Sequence, residues 1–178
     1  MFEKCLMIGS VLLTLARAGP VLAQEARMEL TSPAFQDGHS IPTVYTCDGK
    51  NISPPLKWSG SPAGTKSFAL IVDDPDAPRG IWVHWVLWNL PAAATELKEA
   101  LSTLPYLPSG ALQGKNDSGD IGYSGPCPPS GTHRYFFKLY ALDTVLSLKS
   151  SVTKSDLEAA MKDHHLAQAT LIGVYSRK

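Results

Sequence analysis

The ten residues Gly80–Asn89, read GIWVHWVLWN, constrain the fold more than any other stretch of the chain. Side chains alternate across a strand, so Trp82, His84, Val86 and Trp88 are expected on one face and Ile81, Val83, Trp85 and Leu87 on the other. Both faces are apolar, which suits a central strand covered on both sides rather than an edge. Three of the four tryptophans lie in this run. Its one strongly polar side chain before Asn89 is His84. A buried imidazole costs free energy unless its nitrogens find partners. His84 is therefore either a satisfied core residue or one held ready for a ligand.

Other short runs repeat the theme. Phe68–Val72 is apolar and stops at Asp73-Asp74-Pro75. Arg134–Leu142 is an aromatic-rich strand in which His133, Tyr135, Phe137 and Leu139 share a face and Arg134, Phe136, Lys138 and Tyr140 the other. Leu171–Tyr175 reads as a fourth strand. Glycines and prolines, 14 of each, are scattered as punctuation, which favours short elements joined by turns. Helices are few. Ser155-Asp156-Leu157-Glu158 predicts a capped helix running to about His165, and a short helix over Thr95–Leu101 is a second expectation. Residues Pro105–Ser130 read as one long loop, of a length that is usually functional when ordered, and are expected to wrap over the sheet near a site. The pattern predicts a mostly β, two-sheet sandwich with a helix near the C-terminus.

A chain of 178 residues suits one domain. Residues 1–23 differ from the rest. The apolar segment Leu6–Ala16 is short for a bilayer span, and Val21-Leu22-Ala23 forms a small-residue cleavage pattern, so residues 1–23 are expected to be a cleaved signal peptide and residues 24–178 the mature domain. Export implies a periplasmic protein without stable membrane insertion. Formal net charge is zero, which excludes a general nucleic-acid or anionic-membrane binder but not a local anion site. Cys5 leaves with the signal. Cys47 and Cys127 remain as a pair in an oxidising compartment, where a disulfide is the expectation and two free buried thiols the alternative. Such a bond would add about 4 kcal/mol in the chain-entropy picture.

Two strands each carry a histidine among aromatics, and the first of them follows the acidic corner Asp73-Asp74-Pro75-Asp76-Ala77-Pro78. A carboxylate there can orient an imidazole. The residues alone leave two readings open: a shared pocket of Asp74, His84, His133 and Tyr135, or a turn and two satisfied core histidines. His39, beside Asp37-Gly38, is expected to be exposed, and His164 and His165 to cap the predicted helix. No H-E-x-x-H zinc pattern occurs, Asp74-Pro75-Asp76 does not continue as a calcium loop, and Gly122–Pro126 lacks the last glycine of a nucleophile elbow. No metal or other cofactor is expected.

Longer motifs carry a resemblance. Asp74-Pro75-Asp76-Ala77-Pro78, with Trp82-Val83-His84-Trp85 and Asn89-Leu90-Pro91, resembles the first signature of the phosphatidylethanolamine-binding protein (PEBP) family. Gly122–Tyr135, read GYSGPCPPSGTHRY, resembles its second. Tyr45–Trp58 and Gln113–Asp117 are similar to its bacterial YbhB/YbcL, or Raf kinase inhibitor-like, branch. The resemblance implies a PEBP-like antiparallel β-sandwich of two sheets with a few peripheral helices. It also implies a small pocket for a phosphate or phosphoryl head group, lined by Asp74, His84, His133 and Tyr135, with Gly125, Pro126 and Cys127 on the rim. Imidazole, phenol and backbone N–H groups all suit phosphate oxygens as donors. Arg134 falls on the opposite strand face and is expected in a structural ion pair. The expectation for function is an exported binding protein for a small anionic or phosphorylated ligand, acting as a sensor or as the inhibitor of a protein partner. The alternative is a phosphoesterase-type enzyme using a pocket histidine as acid or base.

Overall fold

The computed structural model describes residues 27–149 and 151–177. The expected signal peptide lies outside the described residues. The strands are β1 (Glu29–Thr31), β2 (His39–Ser40), β3 (Leu56–Ser59), β4 (Ser67–Asp74), β5 (Trp82–Pro91), β6 (Glu96–Leu97), β7 (Leu112–Gln113), β8 (Thr132–Leu142) and β9 (His165–Ser176), with one helix, α1 (Lys154–Met161). They form a three-stranded sheet ordered β1-β3-β6 and a six-stranded sheet ordered β2-β9-β8-β4-β5-β7. All pairings are antiparallel except β2 with β9. Among the described residues, no helix is long and apolar enough to cross a membrane.

The large sheet is buried on both faces at its centre, as the apolar runs require. Between the sheets, Leu56 and Trp58 pack against Phe68, Leu70, Val72, Trp85, Leu87, Phe137 and Leu139. On the other face, Ala69, Ile71, Val83, Val86 and Trp88 pack with Leu157 and Met161 of α1.

Two irregularities in β5 break the simple alternation expected of it. Its register with β4 steps from Val72↔Trp85 to Asp73↔Val83, so His84 is an extra residue, a β-bulge. Val83 therefore packs with Val86 and Trp88 on the helix side, and Trp85 with Leu87 between the sheets. His84 leaves the company of Val86 and Trp88 and meets the Tyr135 ring edge-on, centroids 5.1 Å apart. The second step, from Leu70↔Leu87 to Phe68↔Leu90, inserts Asn89 in the left-handed region at φ 57°. Its amide holds both the N–H and the C=O of Leu146, at 2.9 Å each.

The helix is shorter and earlier than the sequence predicts. Thr153, rather than Ser155, is the N-cap, in a capping box with Asp156, and the last helical residue is Met161. The chain turns there because the His164 N–H bonds the Met161 carbonyl and the His164 carbonyl accepts from Asp143. His165 already pairs with Leu142, so β9 begins well before the expected Leu171. The expected Thr95–Leu101 helix is instead β6, in which Leu97 pairs with Leu56. Local helix signals lose here to sheet completion. The long loop is ordered by backbone bonds to β5: Gly114 N–H to Val86, Asp117 N–H to Val83 and Ser124 N–H to His84, each at 2.9 Å.

Candidate functional site

At the Asp74 end of the large sheet, where Asp74 pairs with Trp82 and Asp73 with Phe136, the turn after β4 and the long loop close over β4, β5 and β8. They leave a cavity of about 490 Å³. Asp74 comes from β4, Trp82 and His84 from β5, His133 and Tyr135 from β8. Ala77–Arg79 come from the turn after β4, and Ser118, Ser124, Gly125 and Cys127–Pro129 from the long loop.

Several polar atoms on the floor are held by specific partners. Asp74 Oδ1 accepts the Asp76 N–H at 2.8 Å, an Asx-type turn that the Asp-Pro-Asp sequence favours. Asp74 Oδ2 accepts from His133 Nδ1 at 2.7 Å, with both side chains buried. His84 Nδ1 lies 2.6 Å from the Ser124 carbonyl, which can only accept, so Nδ1 carries the proton. Burial lowers the His84 pKa below the ordinary imidazole value, against smaller opposing contributions from the Ser124 carbonyl and from Asp74, Asp117 and Asp73. The ring is therefore neutral at pH 7, with a lone pair on Nε2. The Tyr135 hydroxyl is buried and has no hydrogen-bond partner among the described residues. Burial first, then the charges of Asp74 and Asp76, push its pKa well above the usual phenol value, so it stays protonated at all ordinary pH.

The structure thus brings Asp74, His84, His133 and Tyr135 around one cavity, with Gly125 and Cys127 in its wall. Pro126 is buried behind that wall, its carbonyl accepting the Cys47 N–H at 3.1 Å. A disulfide joins Cys47 to Cys127. Together with the Asn51 side chain, which accepts the Gly125 N–H at 2.7 Å, it straps the rim to the segment Tyr45–Asn51. A Cβ at Gly125 would collide with the Tyr45 carbonyl and the Asn51 side chain, so the strap needs glycine there. Arg134 stays outside and forms a two-pronged pair with Asp76, at 2.8 and 2.7 Å. His39 is exposed, and His164 pairs with Asp143 at 2.9 Å, away from the cavity wall. Among the described residues, no cluster has the makings of a metal site.

Sequence reasoning missed Trp82, Arg79, the Ser124 carbonyl and Asn51. Trp82 sits in the quoted motif, where alternation places it on a covered strand face, whereas it stands 39% exposed in the cavity lining. Asn51 carried no local signal, because its partner lies 74 residues away.

Sandwich, disulfide-strapped rim and a hollow at the sheet end define the β-sandwich binding-protein class. The chain belongs to the phosphatidylethanolamine-binding protein family, whose model matches residues 31–176. It is 57% identical to a UPF0098 protein of Methanothermobacter thermautotrophicus over 150 residues, covering 84% of this chain and 99% of the relative. A UPF0098 protein of Aquifex aeolicus is 50% identical, with 85% and 90% covered. Among solved structures, Escherichia coli YbcL, described as a member of the mammalian PEBP family, superimposes with a TM-score of 0.80 at 38% identity, covering 86% of this chain and all of that one (100%). The PEBP homologue CT736 of Chlamydia trachomatis also gives a TM-score of 0.80, at 45% identity over 86% of this chain and 99% of that one.

Proposed function

We propose that this protein is an exported receptor for a small anion of phosphoryl type, bound in the cavity between Asp74, His84, His133 and Tyr135. The observation that carries the reading is the Tyr135 hydroxyl. A buried donor without a partner is costly unless a ligand or water completes it. It stands beside two imidazoles on a concave wall, where a phosphate oxygen fits its chemistry. Asp74 does not face the anion as a donor; it orients His133 and would pair the charge of a protonated ring or of a ligand amine. The leader-like N-terminus and the disulfide support export. Action as a sensor or as an inhibitor of a protein partner follows from binding without an activated nucleophile.

Calorimetric titration with phosphate and phosphoethanolamine tests this. Each of His84→Ala and His133→Ala should weaken binding about tenfold or more, the worth of a hydrogen bond to a charged group. Unchanged affinity in both variants removes the pocket assignment. The 2.7 Å contact of Asp74 with His133 favours a second reading, a phosphoesterase with His133 as acid or base. Absence of turnover on generic aryl phosphates retires it.

A further inference from the structure

Resting on the anion reading above, a role for Asp117 follows from how His84 reaches the cavity. His84 is the extra residue between the pairs Val72↔Trp85 and Asp73↔Val83. A bulge leaves backbone groups without ladder partners, so atoms beyond the strand pair must take them. On the edge of β5 away from β4, pairing with β7 covers only Leu87 and Trp88. Past that point the long loop supplies the bonds. Consecutive carbonyls of a regular strand point to opposite edges. Those of Val83 and His84 nevertheless both accept from this one loop, from the N–H groups of Asp117 and Ser124 at 2.9 Å.

Asp117 and Ser124 each grip β5 twice. Ser124 holds His84 through its N–H and through its carbonyl, which takes Nδ1–H at 2.6 Å. Both are backbone atoms, so residue type is immaterial there. Asp117 holds Val83 through its N–H and through its carboxylate, whose Oδ2 accepts the Val83 N–H at 2.8 Å. Here the side chain matters. The turn carrying it is latched by buried Asn116. Asn116 Oδ1 accepts the N–H groups of Ser118 and Asp120, and its amide donates to the Gly122 carbonyl, all at 3.0 Å. Asp117 itself is exposed and stands outside the cavity lining, to which the same loop sends Ser118 and Ser124. It acts on a ligand through His84, not by contact. An anion gains nothing from its charge, so its value to the site is geometric.

We propose that Asp117 is a positioning residue of the cavity: by clamping both backbone groups of Val83 it fixes the bulge that turns His84 toward Tyr135. Without the carboxylate the Val83 N–H loses its partner. The extra residue is then free to redistribute along β5, and the imidazole no longer keeps one place beside the Tyr135 ring.

The test uses the full, disulfide-bonded protein with inorganic phosphate as the probe. Asp117→Asn keeps an oxygen that accepts from Val83. Asp117→Ala removes it but retains the backbone bond that tethers the loop. Calorimetric titration should show Asp117→Ala weakening phosphate by about threefold to tenfold, with Asp117→Asn equal to the parent or tighter. In a His84→Ala background, Asp117→Ala should add no further loss, because two residues acting as a unit are not additive. Proton NMR should show the contact between the His84 and Tyr135 rings kept in Asp117→Asn and lost in Asp117→Ala. Parent-like affinity in Asp117→Ala, equal weakening in both variants, or losses that add in the double variant overturn the positioning role. In the unaltered protein, saturating phosphate should slow exchange of the Val83 N–H at least about threefold, because coupling between site and clamp is reciprocal. No slowing overturns the role even where Asp117→Ala does not fold. If the parent fails to bind phosphate, the pocket reading falls instead. The ring contact then decides alone: kept in both variants, it overturns the clamp.

Discussion

At Tyr135 the protein keeps a hydroxyl where stability alone would favour phenylalanine. The residue is 1% exposed and its O–H has no partner among the described residues. Removing an unpaired buried polar atom relieves a desolvation cost of about 1 kcal/mol or more. Tyr135→Phe is therefore expected to unfold at equal or higher urea concentration than the parent while losing anion affinity; a clear fall in stability would mean that the hydroxyl is already satisfied. Asp76 makes the opposite case. The Arg134 guanidinium, first through its hydrogen bonds, holds the Asp76 carboxyl at about 2, below its ordinary 3.8. A carboxylate whose pKa is depressed by folding contributes stability that is present above its unfolded value and lost as pH falls through the folded one. The contribution should therefore fade between about pH 4 and pH 2, and Asp76→Asn should flatten that part of the stability-versus-pH curve. Its size is small, because Arg134 is half-exposed. At this scale the sequence was informative where a residue type is rarely buried without cause, as with His84 and His133. It was silent on backbone partners such as the Ser124 carbonyl, which any residue type could supply.

Strand β5 shows how an element can be legible while its facing is not. Its apolar run, its centrality and its end near Pro91 follow from composition. Strict alternation, however, puts His84 with Val86 and Trp88, on the helix side of the sheet. The bulge at His84 reverses this and carries the imidazole to Tyr135. Bulges depend on the partner strand and the covering loop, so a single strand's pattern does not announce them. The second irregularity is testable. Asn89 combines a left-handed backbone with hydrogen bonds to both polar groups of Leu146. Asn89→Ala should cost about 2 to 3 kcal/mol through lost hydrogen bonds and backbone strain, and Asn89→Gly should recover only the strain. Equal denaturation midpoints for the Ala and Gly variants would show that the backbone conformation costs nothing. The helix boundary failed for a related reason: residues 162–165 carry no breaker, and it is pairing of His165 with Leu142 that ends the helix.

For the molecule as a whole, the cavity exists because three strands end together and a loop is tied across them. The Cys47–Cys127 bond spans 80 residues and anchors that loop beside the site. Replacing both cysteines by serine is expected to lower unfolding free energy by about 4 kcal/mol, the chain-entropy worth of so long a loop. Urea unfolding of the two forms measures it, and a loss below about 1 kcal/mol would mean that the rim is held by its hydrogen bonds instead. By itself the amino-acid order settled the β-sandwich, its central strands and the residue types of the site, because apolar periodicity and burial energy act locally and are written residue by residue. The tertiary structure alone decided that the bulge turns His84 toward Tyr135, that Asn51 ties the rim, and that the Tyr135 hydroxyl has no partner among the described residues. Those outcomes depend on contacts between segments 40 to 74 residues apart, such as Ser124 with His84 and Asn51 with Gly125, and no local pattern encodes them.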